Sequence, residues 1–131
     1  MNLHGPGYFF LKLLVSPALM GSIFLIVGAI FSRFPANTIN MYYGYRTRKS
    51  MLNQDTWNVA NTFSGILMKR IGVVSILIGI IISLASSSIG FVAIANVVLT
   101  IASAILLVVL TERKLDEEFD KDGIRKNKDN R

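Results

Sequence analysis

Two long stretches without a charged residue limit what this chain can fold into. Residues 13–32 form a run of 20 uncharged residues, and residues 71–111 form one of 41. An α-helix rises about 1.5 Å per residue, so the first run extends over roughly 30 Å, the thickness of a bilayer's hydrocarbon core. The second run is twice as long and contains the turn-forming residues SSSIG at positions 86–90. The sequence therefore predicts three transmembrane helices, at about 13–32, 71–87 and 91–110.

A soluble protein would have to bury this helical hairpin beneath other helices. Hydrophobic residues make up 52% of the 131 residues and charged residues only 17%, which leaves too few polar helices to cover it. A cleaved signal peptide is the alternative for the first run. Only Lys12 flanks that run, however, and no small-x-small cleavage site follows it. We therefore expect an all-α integral membrane protein.

Basic residues lie almost entirely on one side of the predicted membrane. Of the 14 lysines and arginines, six fall within residues 33–70, seven follow Thr111, and only Lys12 lies on the opposite side. Because basic residues concentrate in cytoplasmic loops, we expect the loop and the C-terminus in the cytoplasm and the N-terminus outside. Topology and attraction to membrane lipids account for the net charge of +6, so no direct contact with nucleic acid is expected.

The polar segment between the first two spans has a helical pattern of its own. Asn53 is the predicted N-cap of a helix over residues 56–69. Most of the circumference of this helix is apolar, and its polar stripe consists of Asn58, Thr62, Gly65 and Lys69. This pattern predicts a cytoplasmic interfacial amphipathic helix, so that residues 33–70 form a motif loop followed by that helix.

The first span contains a proline and two glycines that bear on its shape and packing. Pro17 either kinks the first span or is tolerated in its first turns. Gly21 and Gly28 share one helical face, along which another helix can approach closely.

The charged segment at 113–131 is expected to extend the last helix and to lose its structure after Gly123. We thus predict a membrane domain at 1–112 and a partly disordered cytoplasmic tail at 113–131.

Catalytic and metal-binding patterns are not evident. His4 is the only histidine and has no neighbouring acid, and the chain has no cysteine. The predicted spans contain no ionisable residue, which argues against a proton-coupled transporter. A dyad of Lys49 and Ser50 would lie at a basic surface rather than in a dry pocket. We expect no catalytic residue, no metal, no cofactor and no enzymatic activity.

The order of residues in the motif loop is more specific. It contains IN at 39–40, YGYRT at 43–47, then Ser50, Asn53, Trp57, and AN at 60–61. This arrangement resembles that of the SdpI family, bacterial membrane proteins named after an immunity protein against a secreted peptide toxin. The resemblance covers residues 39–65 closely, and the layout of the spans extends it to roughly 15–110. The chain is similar to the C-terminal half of the longer, named member.

The resemblance implies a protein of the bacterial cytoplasmic (inner) membrane that gives immunity to, or senses, a membrane-active peptide toxin by non-covalent binding. For the named member it also implies signal transduction, in which a cytoplasmic repressor is held at the membrane. A structural or assembly protein that forms homo-oligomers or scaffolds partners is the alternative, favoured by the glycine face of the first span. Membrane lipids are expected partners in either case.

Nine residues of the motif are candidate site residues, with two open interpretations. Arg46 offers a planar fork for a carboxylate or phosphate and Trp57 a large aromatic surface, so these residues could bind a ligand. Alternatively, the motif residues contact one another and form a structural clasp, which is the interpretation we favour. The nine are Asn40, Tyr43, Gly44, Arg46, Thr47, Ser50, Asn53, Trp57 and Asn61.

Overall fold

The computed structural model describes residues 5–126, which form four helices. They are α1 (Pro6–Val15), α2 (Pro17–Arg33), α3 (Gln54–Ala85) and α4 (Ile89–Glu118). By length and composition, α3 and α4 can each cross a membrane, and α1 with α2 provides a third span if the bent pair is counted as one. Within these residues no strand occurs beyond an isolated bridge between Phe119 and Arg125. The prediction of an all-α membrane protein is confirmed.

The first span is broken near its start. The axes of α1 and α2 differ by 56°, and the break lies at Ser16, just before Pro17. Proline has no N–H to donate, so it fits the first position of a helix better than the interior. The Ser16 hydroxyl accepts a hydrogen bond from the N–H of Ala18 at 3.1 Å and so caps α2. The predicted span at 13–32 thus falls on two helices, of which the first already begins at Pro6.

Glycines bring α2 and α3 into backbone contact. A Cβ atom built on Gly21 would lie 2.8 Å from the carbonyl oxygen of Gly72, and one built on Gly28 would lie 2.8 Å from that of Gly65. Only glycine leaves room for two backbones at this separation. The expected close approach along Gly21 and Gly28 thus occurs, and the partner helix belongs to the same chain.

The interfacial helix predicted at 56–69 is not a separate element. It forms the first part of α3, which runs unbroken for 32 residues, or about 48 Å at the usual helical rise. No proline lies within it, and its buried residues Trp57, Ala60 and Ser64 continue into Gly72 and Gly79 on one side of the same helix. The polar stripe is also wrong at Gly65, which is buried against α2.

The chain folds back on itself after α4. The N–H of Asp120 donates to the carbonyl of Ile124 and that of Lys126 to the carbonyl of Glu118, both at 2.9 Å. Gly123 turns the chain with a φ of +79°, which favours glycine. The expectation that order ends after Gly123 is therefore wrong for residues 124–126, and residues 127–131 lie outside the described part.

Candidate functional site

The motif loop covers the beginning of α3 and is held there by two buried side chains. Trp57 has no exposed surface, and its indole N–H donates to the carbonyl of Ala36 at 2.6 Å. The side-chain oxygen of Asn61 accepts the N–H of Tyr45 at 2.6 Å, while its amide donates to the carbonyl of Trp57 at 2.9 Å. Asn61 and Trp57 thus fix two separate points of the loop to one helix.

Gly44 allows the loop to pass over these two side chains. Its φ is +110°, a conformation that side chains with a Cβ rarely adopt. A Cβ at this position would also contact the side-chain oxygen of Asn61 and would lie 3.2 Å from the Trp57 ring. Both the backbone conformation and the close packing therefore require glycine here.

Asn40 and Tyr43 connect the loop to the end of α2. The Asn40 side-chain oxygen accepts the N–H groups of Tyr42 and Tyr43, at 2.9 and 2.8 Å, which closes a turn. The Tyr43 hydroxyl donates to the carbonyl of Phe34 at 2.7 Å, and its ring stands edge-on to Phe31 with the ring centroids 4.9 Å apart. This turn is thereby held against the last residues of α2.

Ser50 and Thr47 stabilise the next turn. The fully buried Ser50 hydroxyl accepts the N–H of Thr47 at 2.8 Å and donates to the carbonyl of Tyr45 at 3.1 Å. The Thr47 hydroxyl then points to another helix and donates to the Glu112 carboxylate at 2.8 Å. Thr47 therefore links the loop to α4.

Glu112 is the meeting point of the loop and α4, and the sequence reasoning missed it together with Tyr45. One carboxylate oxygen accepts both the Thr47 hydroxyl and the Tyr45 hydroxyl, the latter at 3.0 Å, while the other lies 3.7 Å from Lys49 Nζ. Burial raises the pKa of the Tyr45 phenol, and the hydrogen bond to Glu112 raises that pKa further. The phenol is therefore a neutral donor at physiological pH.

Two ion pairs surround this junction. Lys49 Nζ lies 2.6 Å from a carboxylate oxygen of Asp116, and this hydrogen bond raises the pKa of Lys49. Arg125 grips Asp55 with two nitrogens, at 3.0 and 2.9 Å, which raises the pKa of Arg125. Both pairs are exposed, so they orient the loop and the tail rather than contribute much stability.

Asn53 caps α3 and also holds the returning tail. Its side-chain oxygen accepts the N–H groups of Asp55 and Thr56, both at 3.0 Å, which confirms the predicted N-cap. The Thr56 hydroxyl accepts the N–H of Asn53 at 3.1 Å and completes a capping box. The amide of Asn53 donates to the carbonyl of Gly123 at 2.8 Å.

The Arg46 side chain contacts the motif loop itself. It is exposed, and its guanidinium donates to the carbonyl of Met41 within the same loop. Neighbouring Arg48 makes no hydrogen bond or ion pair with any residue in the described range 5–126. The Arg46 guanidinium therefore links two loop residues that are five positions apart.

We expect Arg46→Ala to destabilise the protein more than Arg48→Ala does. Losing one exposed, charge-assisted hydrogen bond should cost about 0.5–1.5 kcal/mol, whereas Arg48→Ala should be close to neutral. Thermal unfolding of the two purified variants, followed by circular dichroism, provides the comparison. Equal and negligible shifts in both variants would show that the loop contributes only its charge.

The nine residues thus occupy one region, the clasp, formed by the motif loop, the beginning of α3 and the end of α4. Their polar atoms contact the loop, α3 and α4, and Tyr43 and Asn53 extend these contacts to the end of α2 and to the tail. Across residues 5–126, no group of three or more histidine, cysteine, aspartate or glutamate side chains lies where it could hold a metal ion. What the region can do chemically is hold three segments together and present basic side chains around them.

Long apolar helices joined at one end by a polar clasp define a multi-pass α-helical membrane protein. The chain belongs to the SdpI/YfhL protein family, whose profile matches residues 36–111. The uncharacterized protein YfhL of Bacillus subtilis (strain 168) is 36% identical over 95 residues, which cover 72% of this chain and 81% of that protein. No solved structure matches the chain. The family match begins at Ala36, the residue that accepts the Trp57 hydrogen bond, and extends to the residue before Glu112.

Proposed function

We propose that this protein gives its cell immunity to a membrane-active peptide by binding that peptide non-covalently within the cytoplasmic membrane. Membership in the family supports a membrane protein of this type, and the resemblance of the motif supplies the immunity role. The clasp side chains, in this proposal, hold the helices and do not bind the ligand. The surface available to a peptide is then the incompletely covered side of α4 that carries Asn96.

The observation that carries this proposal is an unpaired amide on α4. The side-chain oxygen of Asn96 accepts a hydrogen bond from the Thr100 hydroxyl at 3.2 Å. Its amide nitrogen donates to no residue in the described part of the chain. Asn96 lies seven residues into α4, about 10 Å along the helix. At that depth no water is available to accept a hydrogen bond, and leaving the amide N–H unpaired costs free energy. The amide therefore favours binding of another molecule that offers an acceptor.

The surroundings of Asn96 are open to such a molecule. Val92 and Leu107 are buried against the rest of the bundle, at 0% and 7% exposure. Between them on the same face of α4, Asn96 and Thr100 are only half-buried, so this face is incompletely covered. A hydrophobic peptide lying along this part of α4 would cover apolar surface and offer a carbonyl or polar side chain to Asn96.

The proposed orientation places this surface where a secreted peptide arrives. With the clasp and the C-terminus in the cytoplasm, the start of α4 lies at the outer face, and Asn96 lies in the outer half of the membrane. Thirteen of the fourteen basic residues then flank the cytoplasmic side. A peptide inserting from outside would meet Asn96 before it reached the middle of the bilayer.

The assembly alternative loses the feature that favoured it. Gly21 and Gly28 contact Gly72 and Gly65 of the same chain, so their face is occupied. A second copy could still pair through Asn96, because an amide carries both a donor and an acceptor. The test below separates the two.

We expect Asn96→Leu to weaken protection while leaving the protein intact. The control is Val98→Leu, at a 59% exposed position of the same helix. In a sensitive host challenged with a peptide toxin encoded near this protein's gene, the loss of one intramembrane hydrogen bond, worth about 1–2 kcal/mol, should weaken protection about tenfold. Full protection by Asn96→Leu would refute the role of this amide. Loss of a crosslinked dimer in the absence of peptide would instead favour assembly.

A further inference from the structure

A buried cation lies at the end of the bundle opposite the clasp. Lys12 is only 8% exposed, and its ammonium donates to the carbonyls of Ser83 and Ser86, at 2.7 and 2.9 Å. These carbonyls belong to the last turn and the cap of α3, where the helix leaves acceptors unpaired. Tyr8 lies beside it, with the ring centroid 5.5 Å from Lys12 Nζ and the hydroxyl donating to the carbonyl of Ser87 at 2.8 Å.

The charge of Lys12 is not balanced by any acid nearby. The sequence contains no aspartate or glutamate between Met1 and Gln54 or between Thr56 and Thr111. The carboxyl-terminal end of α3 supplies only about half an elementary negative charge. An ammonium has three N–H donors, and two of them are used by the carbonyls of α3. One donor and a net positive charge therefore remain.

A second polar group at the same place lacks a partner. The hydroxyl oxygen of Ser83 is buried, and it makes no hydrogen bond with any residue in the described range. Serine in a helix interior commonly donates to the carbonyl four residues earlier, as Ser22 and Ser32 do here. Ser83 does not, although an unmade hydrogen bond in a buried site is costly. The Ser83 hydroxyl therefore still has a hydrogen bond to make.

Lys12 and Ser83 line one cavity of about 240 Å³. Tyr8 and Ser86 also contribute to its wall, so it lies beside the hairpin between α3 and α4. A water molecule occupies about 30 Å³ in the liquid, so the cavity has room for a tetrahedral oxyanion. None of the lining residues is acidic. The hairpin marks one surface of the membrane, the depth at which the phosphates of lipids lie.

We propose that this cavity binds a phosphate group, with Lys12 as the charged donor and Ser83 as a second hydrogen-bond donor. Phosphate oxygens are strong acceptors for charge-assisted hydrogen bonds. The charge on the ligand offsets the excess positive charge that the end of α3 leaves unbalanced. The group can come from an anionic phospholipid or from free phosphate, since both present the same oxygens.

The test uses the purified full chain and native mass spectrometry with phosphatidylglycerol, phosphatidylcholine and inorganic phosphate as probes. We expect the wild-type chain to retain phosphatidylglycerol in preference to phosphatidylcholine. Lys12→Gln should weaken retention about tenfold, the effect of one lost charge-assisted hydrogen bond, and Ser83→Ala about threefold. Arg70→Gln, which removes an exposed cation near the middle of α3, should leave retention unchanged.

Ser83→Ala keeps the test independent of folding. Lys12 contacts the backbone carbonyl of Ser83, so both of its hydrogen bonds survive this substitution. Weaker retention by Ser83→Ala with an unchanged unfolding temperature would support the site. If only Lys12→Gln weakens retention and that variant also unfolds early, Lys12 is merely a helix cap and the proposal is overturned.

The third probe identifies the source of the phosphate. Inorganic phosphate that displaces phosphatidylglycerol from the wild-type chain would assign the cavity to free phosphate. Phosphatidylglycerol that stays bound would assign it to a lipid headgroup. Equal retention of all probes by the wild-type chain and by Lys12→Gln would overturn the proposal in both forms.

Discussion

Gly72→Leu should force α2 and α3 apart and strongly destabilise the folded state. A Cβ at this position would lie 2.6 Å from the carbonyl oxygen of Gly21 and 2.6 Å from the backbone nitrogen of Leu25. Neither atom is at the flexible end of a side chain, so the clash is relieved only if the helices move apart. Overpacked sites typically cost 1–3 kcal/mol, and we expect a loss of about 3 kcal/mol or more here.

Thermal unfolding in detergent, with protease sensitivity as a second readout, measures this effect. Gly7→Ala is the matched control, because a Cβ on Gly7 has no atom within 4 Å. Gly65→Ala should fall between the two, since its closest neighbour is the Cβ of Phe31 at 3.3 Å. An unfolding temperature for Gly72→Leu equal to that of Gly7→Ala would show that the helices are not in contact.

The parts of the fold that the sequence predicted are those set by local composition. Uncharged runs of sufficient length predicted helices that can cross a membrane, and the SSSIG segment predicted the hairpin between α3 and α4. Asn53 was recognised as an N-cap because capping depends on residues within one turn. The spacing of the motif residues pointed to the family without any knowledge of their contacts.

The parts of the fold that the sequence did not predict depend on contacts between distant segments. The amphipathic pattern at 56–69 was assigned to the membrane surface, but Trp57 and Asn61 are buried beneath the motif loop and Gly65 packs against α2 instead. Nothing near Tyr45 indicated Glu112, which lies 67 positions further along the chain. A signal was nevertheless present, since Glu112 is the first acid after the second uncharged run and lies on the same side as the loop.

Lys12 illustrates the same limit at the other end of the molecule. The sequence placed it as the one basic residue before the first uncharged run and as the odd one out in the charge balance, with no indication of a partner. Its contact with the end of α3 joins residues 71 and 74 positions apart. The break at Ser16 bends α1, which carries Lys12, away from the axis of α2. Local signals identify the break, but the direction of the bend depends on packing.

Trp57→Ala should open the clasp, with the largest loss expected from any single side chain there. Trp57 is fully buried, is the largest such residue and anchors the start of the motif loop through Ala36. Truncating a buried tryptophan to alanine typically costs about 3–5 kcal/mol. The substitution also removes the surface over which Gly44 passes, so the hydrogen bond from Tyr45 to Asn61 should weaken as well.

Trypsin provides a direct readout, because Arg46 and Arg48 lie in the loop that the clasp holds. If cleavage proceeds through local opening, a loss of about 3 kcal/mol raises the cleavage rate about a hundredfold. Trp57→Phe keeps most of the apolar volume and loses the hydrogen bond to Ala36, so it should cost only about 1–1.5 kcal/mol. Tyr42→Ala, at a position that is 94% exposed, is the control. Cleavage of Trp57→Ala at the rate of Tyr42→Ala would mean that Trp57 does not hold the loop. Cleavage rates that fall from the alanine variant through the phenylalanine variant to the wild type would identify both packing and the indole hydrogen bond as contributions of Trp57.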